Sequence, residues 1–285
     1  MNKKRVLITG GAGFIGTNLT LQLNKLGHEI IVLDNLSYGK TDNYVNGVLY
    51  IEEHTKQISN IQLPFKPDII FHLGEYSKIT PSYEEIDTVF DLNIIGSFYV
   101  LEYARKNNIP IVYAASSTRL ALEGENHSPY SFFKSSIVQL LKNYGEWYNL
   151  TYSICYFYNV YGEYQSTCDT GWETVISIFE KQYKLNQPLT VVGDGLQRRD
   201  FTYVGDIVNG LILSAETLRN EEYQLGSGID YSILEVAKMF SDNIKFIEPR
   251  KGDRRYAKAN IQDTYDKLLW KPEMSLINWI EKIKK

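Results

Sequence analysis

Residues 5–34 read RVLITGGAGFIGTNLTLQLNKLGHEIIVLD, and the fold turns on how this stretch is parsed. RVLIT (5–9) is a short apolar run of the kind a strand buried on both faces shows. GGAGFIG (10–16) breaks it, TNLTLQLNKLG has helical spacing with Gly27 as a stop, and EIIVLD (29–34) is a second strand ending in an acid. Strand, helix, strand over so short an interval is the opening of a parallel sheet. The pattern recurs in PDIIFHLG (67–74), IPIVYAA (109–115) and TYSICYF (151–157), separated by long helical patterns over 83–106 and 129–148. An α/β fold follows, with a doubly wound parallel sheet covered on both faces. After about residue 160 the pattern loosens into a smaller α/β portion. The division is 1–160 for the first domain and 161–285 for a second, interleaved with it and expected to bind substrate.

The glycines give the first domain a task. Gly10, Gly13 and Gly16 form a G-x-x-G-x-x-G turn between strand and helix. The first permits the tight turn, the second lets backbone approach a pyrophosphate, and the third lets the helix pack on the strand. Free N–H groups at the helix start then face the anion. Asp34 stands where a ribose-binding acid belongs; its carboxylate accepts from a 2′-hydroxyl and repels a 2′-phosphate. The Rossmann-type site is therefore expected to take NAD rather than NADP, with Lys40 the one residue that softens this reading. Phe14 and Ile15 in the loop, Asn35 after the acid, and Leu73 at the end of a later strand complete the expected cofactor contacts.

A second device lies at 116–134, SSTRLALEGENHSPYSFFK. Tyr130 and Lys134 share one helix face, and Ser116 ends a strand beside the same crevice. Oxidising an alcohol needs a hydride taken from carbon and a proton taken from oxygen. A free tyrosine, with a pKa of about 10, is a poor base at neutral pH. Lys134 and a positive nicotinamide are both expected to favour the phenolate and lower that value. Lys134 is also placed to hold the nicotinamide ribose.

The chain has 285 residues, 44% hydrophobic and 22% charged, enough for a large core, and a net charge of −4 with no basic block. Neither a nucleic acid nor a membrane surface is indicated as partner. The two cysteines, Cys155 and Cys168, have no metal-ligand spacing, so no metal is expected, and a reducing cytoplasm fits. No apolar run is long enough for a signal peptide or a bilayer span.

Taken together, TGGAGFIG, HLGEYSKITPS, DLNIIGSFYVLEYA, Ser116 with Tyr130-x-x-x-Lys134, YNVYGE and GDGLQRRDFTYVGDIV resemble the extended short-chain dehydrogenase/reductases. More narrowly they resemble the NAD-dependent nucleotide-sugar epimerase/dehydratase family, over nearly the whole chain. The resemblance implies that Asn93 completes an Asn-Ser-Tyr-Lys tetrad through a water. It implies that Asn159 and Ser117 face the substrate, and that Arg199 and Arg250 clamp its diphosphate, a geometry guanidinium forks suit. It further implies a homodimer built on the helices at 83–106 and 129–148. HLGEYS, SST and QRRDF resemble a bacterial branch associated with surface-polysaccharide sugars linked to GDP or UDP, and dTDP-linked sugars belong to the same substrate class.

Departures from the family pattern narrow the reaction. Dehydratase relatives carry an Asp-Glu pair after the catalytic Ser or Thr; here Ser117 and Thr118 stand there, and neither does acid–base work at neutral pH. The interval from Ser116 to Tyr130 is short for the family. Glu75 and Tyr76 occupy positions where many relatives have small residues. Oxidoreduction at C4 of a nucleotide sugar, by a 4-epimerase or 4-dehydrogenase, is the main expectation. The alternatives are a 4,6-dehydratase that recruits Glu75 as its acid or base, and a non-catalytic NAD-binding regulator, against which the intact Tyr130 and Lys134 argue.

Overall fold

The computed structural model describes residues 3–121, 124–165, 173–250 and 252–285; Cys168 lies outside them. The first half runs β1 (Arg5–Thr9), α1 (Phe14–Lys25), β2 (Glu29–Asp34), β3 (Leu49–Glu52), β4 (Ile69–His72), α2 (Ile86–Val89), α3 (Ser97–Asn107), β5 (Ile111–Ser116), α4 (Pro129–Tyr148) and β6 (Tyr152–Phe157). The second continues with β7 (Val160–Tyr161), α5 (Val175–Lys184), β8 (Leu189–Val192), β9 (Arg198–Asp200), β10 (Thr202–Tyr203), α6 (Val204–Thr217) and β11 (Glu221–Leu225). It closes with β12 (Asp230–Ser232), α7 (Ile233–Phe240), β13 (Ile244–Ile247), β14 (Tyr256–Ala257), α8 (Gln262–Leu268) and α9 (Leu276–Lys284).

Seven parallel strands form the main sheet in the order β11-β6-β5-β4-β1-β2-β3. The chain winds outward from β1 in one direction through β2 and β3, then in the other from β4, so a crevice opens beyond the carboxyl ends of β1 and β4. Alternation along each strand explains the two cores. Leu7, Ile31, Ile70 and Ile154 pack toward α3 and α4, whereas Val6, Ile8, Val32, Phe71 and Cys155 pack toward α1 and α6. Both faces are buried, which is why these strands read as unbroken apolar runs.

Two features of the sheet were not legible in the pattern. The short β3 is half polar, and β11 comes from the second half of the chain to pair with β6. Residues 204–225 therefore belong to the first layer by packing, while a separate core around Phe179, Val191, Phe201, Val236 and Phe240 forms the smaller portion.

The helical pattern at 83–106 is not one regular helix. Between α2 and α3, residues Phe90–Gly96 wind with the wider π pitch. The wider turn lets Gly96 approach residue 55: a Cβ there would come within 2.4 Å of the Thr55 hydroxyl oxygen. By contrast α4 occupies all of 129–148. The Ser128 hydroxyl caps it by accepting the Ser131 amide, Pro129 suits its first turn, and Asn149 ends it with φ of 55°.

The glycine turn is a packing constraint as well as a ligand loop. A Cβ on Gly16 would lie 2.0 Å from the Gly10 carbonyl oxygen, whereas one on Gly13 would meet nothing closer than 3.4 Å. Gly16→Ala is thus expected to destabilise the fold by about 1–3 kcal/mol or more, as overpacking of rigid backbone does, and Gly13→Ala to leave stability near wild type. Urea unfolding midpoints check this; equal midpoints for the two variants would refute the assignment.

Candidate active site

At the crevice lies one continuous cavity of about 1020 Å³, walled by the ends of β1, β2, β4, β5 and β6 and closed by segments of the smaller portion. Its first end is shaped by the glycine turn. Gly10 has φ of 72° and its backbone touches Gly74, so neither position has room for a side chain. α1 starts at Phe14 with Gly13 as its cap and no side chain covering its first amides. Those amides are left to an external acceptor, and the space over Gly13 is where a diphosphate fits. Phe14, Ile15, Asn35, Lys40 and Leu73 line this end.

Asp34 closes it. Its carboxylate accepts the amides of Ala12 and Leu36, both at 2.9 Å, which aims the group along the wall. Burial pushes its carboxyl above the ordinary range while the two amides pull it back. This cradle of bare backbone and one oriented acid fits a dinucleotide with an unsubstituted ribose, so the residues present fit NAD.

At the other end β5 delivers Ser116 and the first turns of α4 deliver Tyr130 and Lys134, all lining the cavity. Ser116 lies near enough to the Tyr130 phenol to favour its ionised form. Ser116 Oγ accepts from the Thr118 amide at 3.3 Å and from the Thr118 hydroxyl at 3.0 Å. The three groups come together as their spacing required. The acidity of the tyrosine does not follow expectation: burial pushes Tyr130 up to about 12, with Glu75 adding to the rise and Ser116 and Arg254 opposing it.

Lys134 has its own partners. Its ammonium is ion-paired with Glu75, donates to the Ala114 carbonyl, and sits 4.5 Å from the Tyr113 ring centre. Glu75 does not reach into the sugar space as a free acid. Its Oε1 accepts from Ser97 at 2.6 Å and Tyr113 at 3.1 Å, and its Oε2 meets Lys134. Both side chains are almost wholly enclosed, 3% and 7% exposed.

Asn93 sits behind this wall, fully buried on the π-wound segment. Its Oδ1 accepts the Tyr76 amide at 2.7 Å and its Nδ2 donates to the Tyr76 carbonyl at 3.1 Å. Its side chain therefore clamps the loop that carries Glu75.

Toward the smaller portion, Asn159 lines the cavity and donates to the Asp200 carbonyl at 3.1 Å. Arg199 on β9 and Arg250 line it too; Arg199 is buried and donates to Asp253 at 2.6 Å. Two cations escaped the sequence reading. Lys78 donates to the Glu173 carbonyl at 3.1 Å and is pulled down to about 8, chiefly by burial. Arg254, 5% exposed, reaches Ser117 and donates to its carbonyl at 3.3 Å and its hydroxyl at 3.4 Å. The signal for Arg254 was faint: in DRRY the two arginines precede a strand, so one faces in and the other, Arg255, faces out to Asp194. Among the described residues, no group of His, Cys, Asp and Glu could hold a metal ion.

The model of the NAD dependent epimerase/dehydratase family matches residues 6–226. A putative UDP-glucose 4-epimerase from Methanocaldococcus jannaschii is 31% identical, over 98% of this chain and 96% of that protein. The crystal structure of a UDP-glucose 4-epimerase from Thermotoga maritima, with UDP-glucose, superposes with a TM-score of 0.91 at 28% identity, covering 98% of this chain and 97% of that one. A Thermus thermophilus UDP-glucose 4-epimerase in complex with NAD superposes with a TM-score of 0.86 at 26% identity, covering 98% and 99%. With a family match over most of its length and a relative 31% identical across nearly the whole of both chains, this chain belongs to the NAD-dependent epimerase/dehydratase family of nucleotide-sugar enzymes.

Proposed function

We propose that the protein catalyses oxidoreduction at C4 of a nucleotide-activated sugar, as a 4-epimerase or 4-dehydrogenase, with Tyr130 taking the hydroxyl proton. The observation that carries this is the pairing of an intact Ser116–Tyr130–Lys134 set with a pocket wall where Ser117 and Thr118 replace the dehydratase acids. Bound NAD supplies a hydride acceptor. The chain does the rest: Ser116 hydrogen-bonds the reacting oxygen, Tyr130 receives its proton, and Lys134 beneath them holds the nicotinamide ribose. The enclosed walls exclude water from the keto sugar.

Glu75 as a dehydratase acid or base is the weaker reading, because its oxygens are engaged by Ser97, Tyr113 and Lys134. A regulator without catalysis would have no use for an intact Tyr130 and Lys134 in the cavity wall. Arg199 and Arg250 are assigned to the diphosphate, and Asn159 to the substrate beside them. UDP is favoured over GDP and dTDP, since two of the similar proteins carry the name UDP-glucose 4-epimerase and one of them holds UDP-glucose. No helix among the described residues is long and apolar enough to cross a membrane. We place the enzyme in the cytoplasm, supplying sugars for surface polysaccharide, on the resemblance and the cysteine usage described above.

We also propose a homodimer. Ile86, Phe90, Phe98 and Tyr99 on the α2–α3 stretch, and Phe132, Trp147 and Tyr148 on α4, are exposed large apolar side chains, and α3 and α4 pack side by side. Such a concentration on two neighbouring helices suits a partner with the same face.

Three measurements test these readings. Tyr130→Phe should abolish turnover on a panel of UDP-, GDP- and dTDP-sugars, followed by NMR and mass, while retaining NAD; a variant within tenfold of wild type, on the order of 1.4 kcal/mol, removes Tyr130 as base. Arg199→Ala and Arg250→Ala should each weaken binding of the free nucleoside diphosphate about ten- to a hundredfold, the worth of a charged hydrogen bond, with NAD affinity unchanged. Light scattering at micromolar concentration should give the mass of two chains, and Phe98→Glu should give that of one. A wild-type monomer sinks the dimer.

A further inference from the structure

Glu75 is the buried acid that the chemistry above does not use. It stands on the segment after β4, directly under Lys134, and three donors converge on its two oxygens. Behind it runs a closed chain of hydrogen bonds. Ser97 meets His72 Nε2 at 2.8 Å, and His72 Nδ1 meets the Thr9 hydroxyl oxygen at 2.6 Å, which in turn accepts the Gly74 amide at 3.1 Å. Burial pulls His72 down to about 4, so at neutral pH this chain carries no charge of its own. It locates Glu75 and leaves its single negative charge opposite the ammonium of Lys134.

We propose that Glu75 is a positioning residue that locks the Lys134 ammonium into a neutral buried pair, so that Tyr130 keeps its proton until oxidised nicotinamide lies beside it. This rests on the reading of Tyr130 as proton acceptor and goes beyond it. In the usual arrangement expected from the spacing, a lysine charge acts on the tyrosine at all times. Here several elements face Lys134 and Tyr130. From the segment after β4 come Glu75 and the packed ring of Tyr76; from β4, neutral His72; from β5, Tyr113, the Ala114 carbonyl and Ser116. The Ser82 hydroxyl accepts the Tyr130 amide, and Arg254 approaches from the segment before β14. Of the charges, Glu75 disfavours the phenolate and Arg254 favours it, while burial dominates both.

The consequence is a coupling of proton to hydride. Oxidised nicotinamide carries one positive charge and the reduced ring none. With NAD⁺ bound, departure of a hydride from the substrate carbon would be matched by transfer of the O–H proton to Tyr130. The positive charge that favoured the phenolate disappears in the same step. Tyr130 then holds that proton firmly beside the keto oxygen, ready for the return of the hydride to either face. A site built this way suits an epimerase, which must give back what it took.

The titration of Tyr130 tests the idea without requiring the true substrate. Protein labelled with ¹³Cζ-tyrosine is titrated, with the Tyr130 resonance assigned by its loss in Tyr130→Phe. In the free wild-type protein Tyr130 should remain protonated past about pH 10, and loading with NAD⁺, but not with NADH, should raise its ionisation constant about a thousandfold or more, toward the neutral range. Glu75→Gln keeps the shape and the acceptor oxygen but removes the charge; in the free protein it should raise the constant about tenfold, with Glu75→Asp restoring most of the wild-type value. A purely structural Glu75 would alter the unfolding midpoint and leave the titration in place. An unchanged or higher Tyr130 titration midpoint in Glu75→Gln overturns the proposal, as does a free wild-type Tyr130 that titrates below about pH 9. If Glu75→Gln does not fold, Glu75→Ala, the kind of small residue many relatives carry there, takes its place with the same expected rise and the same overturning result. Activity retained by Tyr130→Phe would instead defeat the assignment of the base and is read in a separate experiment.

Discussion

Three backbone segments meet where side chains are excluded, and the rest of the site depends on that meeting. Gly10 turns out of β1, Gly16 brings α1 against it, and Gly74 leaves β4 against the same point. Because none of the three has a Cβ, the start of α1 and the ends of two adjacent central strands approach within backbone contact. The free amides of α1 then face the crevice at the switch point of the sheet. The same contact fixes Gly74, and with it the direction in which Glu75 and Tyr76 leave the strand. Cofactor cradle and reaction end are thus set by one packing event.

Burying a lysine and a glutamate side by side is expensive unless each has its remaining hydrogen bonds met. Here they are: Ser97, Tyr113 and the Ala114 carbonyl complete the pair. Asn93 contributes indirectly by holding the Tyr76 backbone from both its amide and its carbonyl. Such a network yields little net stability compared with an apolar replacement, but it specifies one position for the ammonium. Its presence beside Tyr130 suits the role proposed for that side chain.

The smaller portion is anchored by another buried acid. Asp200 accepts from the Ser227 amide and hydroxyl, both at 2.7 Å, from the Gly228 amide at 2.9 Å and from the Ala259 amide at 3.1 Å. Burial raises its carboxyl while these donors lower it. Next to it in sequence stands Arg199, and the strand ending at Ala257 pairs with β9 to carry Arg254 inward. The cations of the far wall therefore share one support.

What the sequence determined by itself was everything carried by short-range geometry. Glycine spacing, an acid at the end of the following strand, and a tyrosine one helical turn before a lysine all act through local backbone form, so Gly10, Gly13, Gly16, Asp34, Ser116, Tyr130 and Lys134 were legible one segment at a time. Tertiary structure alone decided the charges. Glu75 meets Lys134 across 59 residues of chain, and Arg254 meets Ser117 across 137. β11 joins the sheet from beyond the smaller portion's first strands. The acidity of Tyr130 belongs to the same class: a phenol responds to burial and to every charge near it in space, and periodicity along the chain records neither.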